Sequence, residues 1–466
     1  MEFIKPFRVK RELPVDQLDP SWTAPRDGQD WRDDELMLAV AWLKSLVPRR
    51  DMERRLDAAK EYLVAARKRQ RDGEPASLFE EHDTVAWFIL QAETFATDRM
   101  FWAPEGVMRS VPYLTRIGKE LPLLLSVDGA VARAERMMTA EKRQPEGPLF
   151  ELLVGLAYKR NGWAKVQFVP EMKGLGRTPD IIVSKPRSSW AIECKRLVPS
   201  TYAARERVIG AGLAEPVHRL CLERSVSVVV QVAYKAELQH VPTDYLLERV
   251  SEALDGGPSN YWDDDVAKGF IRPVNWQLAR GVLEKDFVYF GSSRMIELLS
   301  GSYEHDADHS IAAKWRPHPN RPEYADAVYQ ASVVSWYNQA AESTIRKARH
   351  FKSTLANAEG QLPADTPGAV HIGIESYSGS FVDFMRHMQN RSEARLFQLR
   401  NSRLRWVFAN HFVPEATTRR DESWAITETM VPYRVGRHGT KSPLPGHMLV
   451  SPESETVPGS HWSRNL

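Results

Sequence analysis

The sequence has few cysteines and no long apolar segment. Its two cysteines, Cys194 and Cys221, cannot form the disulfide framework of a small secreted domain. No run of about 18 apolar residues occurs, so the sequence predicts no membrane-spanning helix and no membrane partner. Met1 to Pro20 contains basic residues but lacks the apolar core of a secretion signal. We therefore expect a cytoplasmic protein.

Motifs for nucleotide hydrolysis and for reading a DNA sequence are also missing. The segment from Gly436 to Ser442 ends in Gly-Thr-Lys-Ser and lacks the Gly-Lys-Ser/Thr ending of a Walker A loop. No zinc finger, clear helix-turn-helix or basic zipper is present. The sequence thus predicts neither a nucleotide-driven motor nor a familiar sequence-reading module.

The charge is unevenly distributed. The net charge is only +2, but Lys159 to Arg207 holds eleven Lys/Arg and four Asp/Glu, a local excess of +7. A basic stretch of this kind favours a polyanionic partner such as nucleic acid. A mixed, solvated surface is the alternative.

Hydrophobic periodicity predicts an α/β protein with a helical beginning. Residues 1–144 are predicted to be an α-helical region, because apolar residues recur three or four positions apart, for example from Trp31 to Val47 and from Arg50 to Arg71. This region carries no catalytic constellation. We expect it to act as a scaffold, or to form a homodimer or a contact with a partner protein.

The periodicity changes after Pro145. Residues 145–255 predict the order α-β-β-β-α-β: a helix over 148–159, strands at 164–170, 179–184 and 190–195, a helix over 201–224 and a strand at 225–232. Residues 256–438 predict an α/β extension that either continues the same sheet or forms a second unit. Residues 439–466, rich in Pro, Ser and Gly, predict a flexible tail.

The most informative segment is the strand pair of residues 179–195. Asp180 opens its first strand, while Glu193 and Lys195 close the second and share a face, because side chains alternate along a strand. Two acids and an amine can hold a divalent metal and position a water, which is the equipment for hydrolysing a phosphodiester. A second Glu-x-Lys, at Glu171 to Lys173, has no strand after it and precedes the aspartate.

Each of these residues also has a plain structural interpretation. Asp180 after a proline could accept hydrogen bonds from turn amides. Glu193 and Lys195 could form a surface ion pair on an edge strand. Their combination in one strand pair, inside the α-β-β-β-α-β order, favours a site.

These residues resemble the PD-(D/E)xK nuclease superfamily, over roughly residues 146–235. The resemblance implies a restriction-endonuclease-like αβββαβ core in which Asp180 and Glu193, with the Cys194 carbonyl, bind Mg²⁺ or Mn²⁺. It implies that Lys195 orients or activates the attacking water. Many members add a glutamate from the preceding helix, and Glu151 is the candidate here, both as a catalytic residue and as a metal ligand.

Glu151 lies in the apolar run from Leu149 to Tyr158, where an ionised carboxylate is costly unless it is paired or bound to metal. An ion pair with a nearby Arg or Lys is the alternative. The family resemblance further implies a nuclease acting on DNA rather than RNA, in genome defence, restriction or repair.

Several cations are candidates for contacting nucleic acid, although each could equally be a solvated surface residue. The candidates are Lys173, Arg177, Arg196 and Arg205 near the acids, and Arg346 and Arg349 on a later helix.

Two other functions compete with the nuclease. One is a non-catalytic nucleic-acid-binding or assembly protein on the same fold. The other is a zinc hydrolase using His305 and His309, which would share a face if their segment were helical. The HExxH pattern is absent, and the surrounding residues are typical of a loop.

Overall fold

The chain is a mixed α/β protein built on two mixed sheets. The structure, a computed structural model, describes residues 21–24, 33–71, 76–97, 100–170, 178–197, 200–257, 259–348, 350–400, 402–416, 424–436, 438–451 and 456–464. The predicted site residues Lys173, Arg177 and Arg349 lie outside these ranges.

The first part of the chain is helical, as predicted, apart from one short strand. Its elements are β1 (Trp22–Ala24), α1 (Asp33–Ser45), α2 (Arg49–Arg71), α3 (Thr84–Ala96), α4 (Pro104–Lys119), α5 (Leu121–Leu125) and α6 (Ala130–Met138). Asp83 caps α3 by accepting the Ala86 N–H at 3.1 Å, and its carboxylate also pairs with Arg55 of α2. Among the helices that the structure describes, none has the length and apolar character needed to cross a bilayer.

The middle of the chain alternates between helices and strands. The elements are α7 (Glu146–Arg160), β2 (Lys165–Phe168), β3 (Ile181–Lys185), β4 (Ser188–Leu197), α8 (Thr201–Glu223), β5 (Val228–Tyr234), α9 (Tyr245–Leu254), β6 (Tyr261–Asp263), β7 (Ala267–Pro273), α10 (Trp276–Leu283), β8 (Val288–Tyr289), α11 (Ser293–Ser300), β9 (Asp308–His318) and β10 (Arg321–Asn338).

The strands of the last part of the chain belong to the same sheet as β2, β3 and β4. Its elements are α12 (Ala341–Lys347), α13 (Lys352–Glu359), β11 (Pro367–Glu375), α14 (Ser380–Leu396), β12 (Arg403–Ala416), β13 (Trp424–Arg434), β14 (Val457–Pro458) and α15 (His461–Arg464).

The first sheet has the order β14-β1-β13-β12-β11-β4-β3-β2. Strands β2, β3 and β4 are antiparallel neighbours, whereas β4, β11 and β12 run parallel. Helix α7 covers one face of this sheet, where Gly373 leaves room for the Phe150 ring: an added Cβ would lie 2.9 Å from it. Helix α13 covers the other face, with Leu355 and Ala358 packed in a cluster that includes Ala191 of β4.

The second sheet has the order β6-β7-β5-β10-β8, and β9 pairs with β10. Helix α8 packs closely on it at Gly210, where a Cβ would lie 2.1 Å from the Trp336 indole nitrogen. Only glycine therefore allows this approach of helix and strand.

The predicted order α-β-β-β-α-β is present along the chain, but its last strand lies in the other sheet. Strand β5 pairs with β10 and β7, and β11 takes the place beside β4. The run Val228–Val230 is buried on both faces, and such a run fits the centre of any sheet. The region 256–438 accordingly contributes strands to both sheets.

The prediction of a flexible tail is wrong for the described residues of 439–466. Met448 and Trp462 are buried, at 0 % and 1 % exposure. The buried Glu428 carboxylate accepts the N–H groups of Leu449, Val450 and Ser451 at 2.7, 2.9 and 3.0 Å. The polar composition of the segment concealed a few large apolar side chains and this partner for its backbone.

Candidate functional site

Asp180 and Glu193 meet at one end of the β3–β4 pair. Ile181 of β3 pairs with Ile192 of β4 in the antiparallel ladder. The adjacent residues Asp180 and Glu193 therefore lie opposite each other. The Cys194 N–H donates to Asp180 Oδ2 at 2.7 Å and fixes that carboxylate against β4. The Glu193 side chain is fully buried. The antiparallel register of β3 and β4 thus brings the two acids together.

Both carboxyls are held in an environment that disfavours their charge. Burial, and then the negative charge of Glu151, raise the pKa of Asp180 to about 7. Burial, and then the charge of Asp180, raise the pKa of Glu193 to about 8. Buried like charges of this kind are more typical of functional sites than of structural ones, because they cost stability.

Lys195 extends from the same face of β4 as Glu193. Its Nζ donates to Glu193 Oε1 at 2.5 Å, and about a quarter of its side chain is exposed. Burial alone would lower the pKa of Lys195, but the charges of Glu193 and then Asp180 outweigh burial and raise it. Lys195 is therefore an ammonium ion that can donate hydrogen bonds, rather than a neutral amine that could act as a base.

Gln361, which follows α13, contacts the site from a distant part of the chain. Its amide nitrogen faces both oxygens of Glu193 and lies 3.2 Å from Oε2. This orientation is assigned from the hydrogen bonds, because the opposite one would set an amide oxygen against two carboxylate oxygens. Sequence reasoning missed Gln361, since nothing in its local pattern distinguishes it from an ordinary loop residue.

Glu151 is engaged by a cation that the sequence did not reveal. Arg133 of α6 binds the Glu151 carboxylate through two nitrogens, at 2.5 and 2.9 Å, and also contacts Glu141 at 2.7 Å. Glu151 therefore forms the ion pair that the sequence allowed as the alternative to metal binding.

Across the described ranges, no group of three or more His, Cys, Asp or Glu residues is arranged to hold a metal ion. The predicted ligand set of Asp180, Glu193 and Glu151 is therefore not arranged as a metal site, and Glu151 is paired with Arg133.

The remaining donors nevertheless suit a hard divalent cation. Asp180, Glu193 and the Cys194 backbone carbonyl supply the oxygen ligands that Mg²⁺ and Mn²⁺ prefer. The raised pKa values show two carboxyls whose mutual repulsion a cation would relieve.

The predicted nucleic-acid contacts fare differently from one another. Arg196 is on the opposite face of β4 from Lys195, only 13 % of its side chain is exposed, and it is ion-paired with Glu375, which commits it to the protein. Arg346 pairs with Glu237 at 3.3 Å, although half of its side chain remains exposed. Arg205 is exposed on α8. For Lys173, Arg177 and Arg349, contact with nucleic acid stays a prediction.

The two histidines of the zinc alternative do not form a pair on a helix. His309 lies on β9, where its Nδ1 is 2.8 Å from Ser335 Oγ and its Nε2 is 2.9 Å from the Glu304 carbonyl. Burial lowers the pKa of His309. His305 precedes the strand and packs edge-on against Tyr303, on which His309 stacks. Both ring nitrogens of His309 are occupied, which leaves none to bind zinc in this arrangement.

No protein-family model, curated protein or solved structure matches the chain. The functional inference is therefore based on the residues around Asp180 and Glu193.

Proposed function

We propose that this chain is a divalent-metal-dependent nuclease that hydrolyses phosphodiester bonds, with DNA favoured over RNA. One observation carries the proposal: Asp180 and Glu193 are juxtaposed at one end of two adjacent strands, with Lys195 beside them. Both carboxyls have raised pKa values, so the fold bears a cost at this point. A metal-binding and catalytic role accounts for that cost.

The strand order supports our proposal of a restriction-endonuclease-like core. Helix α7 and strands β2, β3 and β4 provide the α-β-β-β part, and the parallel strand β11 completes it. Helix α13 packs on β4 and β11 as the crossover helix. In this interpretation residues 201–348, with the second sheet, form an insertion between β4 and its parallel neighbour.

Each side chain has a definite role in the proposed reaction. Asp180 and Glu193, with the Cys194 carbonyl, would hold Mg²⁺, and Mn²⁺ could replace it. The bound ion would stabilise the charge that develops on the phosphate oxygens. The Cys194 N–H keeps Asp180 in place, and the Lys195 ammonium orients the attacking water or a phosphate oxygen by donating a hydrogen bond.

A non-catalytic nucleic-acid-binding or assembly protein is the second candidate. The observation that favours it is that two of the three acids already have a cationic partner, since Arg133 contacts Glu151 and Lys195 contacts Glu193. The nuclease is favoured because Asp180 and the fully buried Glu193 lie opposite each other with Lys195 beside them, an arrangement that suits metal binding and hydrolysis.

The two candidates are separated by a cleavage assay. Wild type, D180A and K195A are incubated with linear, circular and single-stranded DNA and with RNA, each in Mg²⁺ and in EDTA. We expect cleavage by wild type in Mg²⁺ alone, and its loss in both variants without a loss of folding. D244A, which removes an exposed aspartate before α9, is the control and should cut normally. Cleavage by D180A at the wild-type rate would exclude the proposed site, and no cleavage by wild type would favour the non-catalytic candidate.

A further inference from the structure

The opposite end of the β3–β4 pair carries a concentration of cations that the nuclease site does not use. Lys185 and Arg187 lie at the turn between the two strands, and the neighbouring strands bring further cations to the same edge of the sheet. We call this set the basic edge, and its members are Lys185, Arg187, Arg403, Arg405, Arg434 and Lys441.

One half of the basic edge lines an open groove of about 580 Å³, to which Lys185, Arg187 and Lys441 contribute. Ser188, Ser189, Thr366, Thr440 and Ser442 add hydroxyl groups to its walls. Arg403 joins the groove through its Nη1, which donates to the Asp365 carbonyl at 2.9 Å. Cations interspersed with hydroxyls are the usual equipment for binding phosphate oxygens.

The other half of the basic edge is linked to the groove by His438. His438 Nε2 lies 2.8 Å from the Arg405 carbonyl, and its Nδ1 accepts the Thr440 N–H at 3.2 Å. Burial lowers the pKa of His438, and the hydrogen bond to that carbonyl opposes this effect. The positive charges of Arg405 and Arg434 lower the pKa further. His438 thus connects the strand that carries Arg405 to Thr440, which lines the groove.

These cations are not neutralised by the protein. In the part of the chain that the structure describes, none of the six forms an ion pair, whereas Arg133, Arg196 and Arg346 all do. Asp365 is the one acid among the residues lining the groove, and its carboxylate accepts the Thr366 hydroxyl at 3.1 Å. Like charges gathered without counter-charges oppose folding, so a polyanionic ligand accounts for them.

We propose that the basic edge binds the phosphodiester backbone of a nucleic acid that extends beyond the candidate active site. The edge crosses four inter-strand steps from β3 to β13, which is about 19 Å. One strand of DNA places a phosphate about every 3.4 Å along the axis, so the edge faces about five successive phosphates. A single small phosphate would occupy only one part of such a row.

The basic edge is far enough from the acids to act on binding rather than on chemistry. Seven residue steps along β4 lead from Ser188 to Lys195, a distance of about 23 Å, which corresponds to about seven base pairs. The identity of the polyanion rests on the proposed nuclease function, but binding can be measured without cleavage.

The test is the affinity of the full chain for a 30-base-pair duplex in EDTA, measured at several salt concentrations. We expect R187E/R405E/K441E to bind at least about tenfold more weakly than wild type. The plot of log affinity against log salt concentration should become shallower, by the amount that about three phosphate contacts contribute to its slope. The control R50E/R54E/R219E makes the same change of charge at exposed arginines of α2 and α8. Equal binding by the two triple variants would overturn the proposal.

The outcome is independent of the nuclease proposal. If wild type cuts DNA but the two triple variants bind alike, the basic edge is refuted and the nuclease stands. If the edge variant alone loses binding and wild type never cuts, the edge stands and the nuclease is refuted. Binding to phosphatidylserine vesicles but not to the duplex would also overturn the proposal.

Discussion

Two glutamates are fully buried in the same sheet, yet they are surrounded very differently. Glu428 on β13 accepts three backbone N–H groups of residues 449–451 and the Asn410 amide at 3.0 Å. Glu193 on β4 lies beside Lys195, Gln361 and the carboxyl of Asp180. Burial raises the pKa of both glutamates, and the backbone amides around Glu428 oppose that effect.

The difference teaches what distinguishes a structural carboxylate from a candidate catalytic one. Glu428 is surrounded by donors and ties the C-terminal segment to the sheet, so its burial is compensated. Glu193 is buried beside a like charge, which no structural role requires. Burial alone therefore does not mark a site, whereas burial beside a like charge does.

The largest expected effect separates the two glutamates by activity. E193Q should lower the cleavage rate at least about a thousandfold, or about 4 kcal/mol, because an amide is a poor metal ligand. E428Q should stay within a few-fold of wild type, since Glu428 belongs to the fold and not to the site. Initial rates on a duplex in saturating Mg²⁺ check this, and equal losses in the two variants would erase the distinction.

Stability should show the reverse order. E428A should lower the free energy of unfolding by about 3 kcal/mol, because three buried N–H groups lose their acceptor. E193Q should leave that free energy unchanged or raise it, because the repulsion from Asp180 disappears. Urea unfolding without metal measures both, and a larger loss of stability in E193Q than in E428A would contradict the comparison.

The stability of the metal-free protein should depend on pH through Asp180. Its folded pKa of about 7 lies above the usual value of 3.8, so folding favours the protonated form. This contribution is fully present below about pH 4 and is lost as the pH rises through 7. D180N should therefore gain stability over wild type, on the order of 1–3 kcal/mol, between pH 4 and pH 8.

Thermal or urea unfolding across that pH range measures the gain. A difference between D180N and wild type that does not change with pH would argue against the raised pKa. Mg²⁺ should stabilise wild type more at pH 8 than at pH 5, because it binds the ionised carboxylates.

The smallest expected effect concerns Gln361, whose amide contacts the Glu193 carboxylate. Q361A should reduce cleavage about tenfold and raise the Mg²⁺ concentration needed for half the maximal rate, because Glu193 loses the amide that orients it. Q239A, at a glutamine between β5 and α9 whose amide contacts Glu237, is the matched control. A Q361A variant with wild-type metal dependence would limit Gln361 to a packing role.

The sequence predicted local geometry better than long-range assembly. The meeting of Asp180 with Glu193 follows from antiparallel pairing within one short hairpin, and alternation along β4 puts Lys195 on the same face as Glu193. The Arg133 and Gln361 contacts join segments far apart in the chain, and no periodicity reports them. The same limit applies to β5: its valines predicted a buried strand, but they do not specify which strands it pairs with.

The central claim is that Asp180 and Glu193 bind a divalent cation in order to cut phosphodiesters. Its most direct test is a Mn²⁺ titration of wild type at pH 8 in which metal occupancy and cleavage rate are measured on the same samples. We predict that rate and occupancy rise together and that both are lost in D180N. Cleavage that persists in EDTA, or in D180N, would contradict the claim.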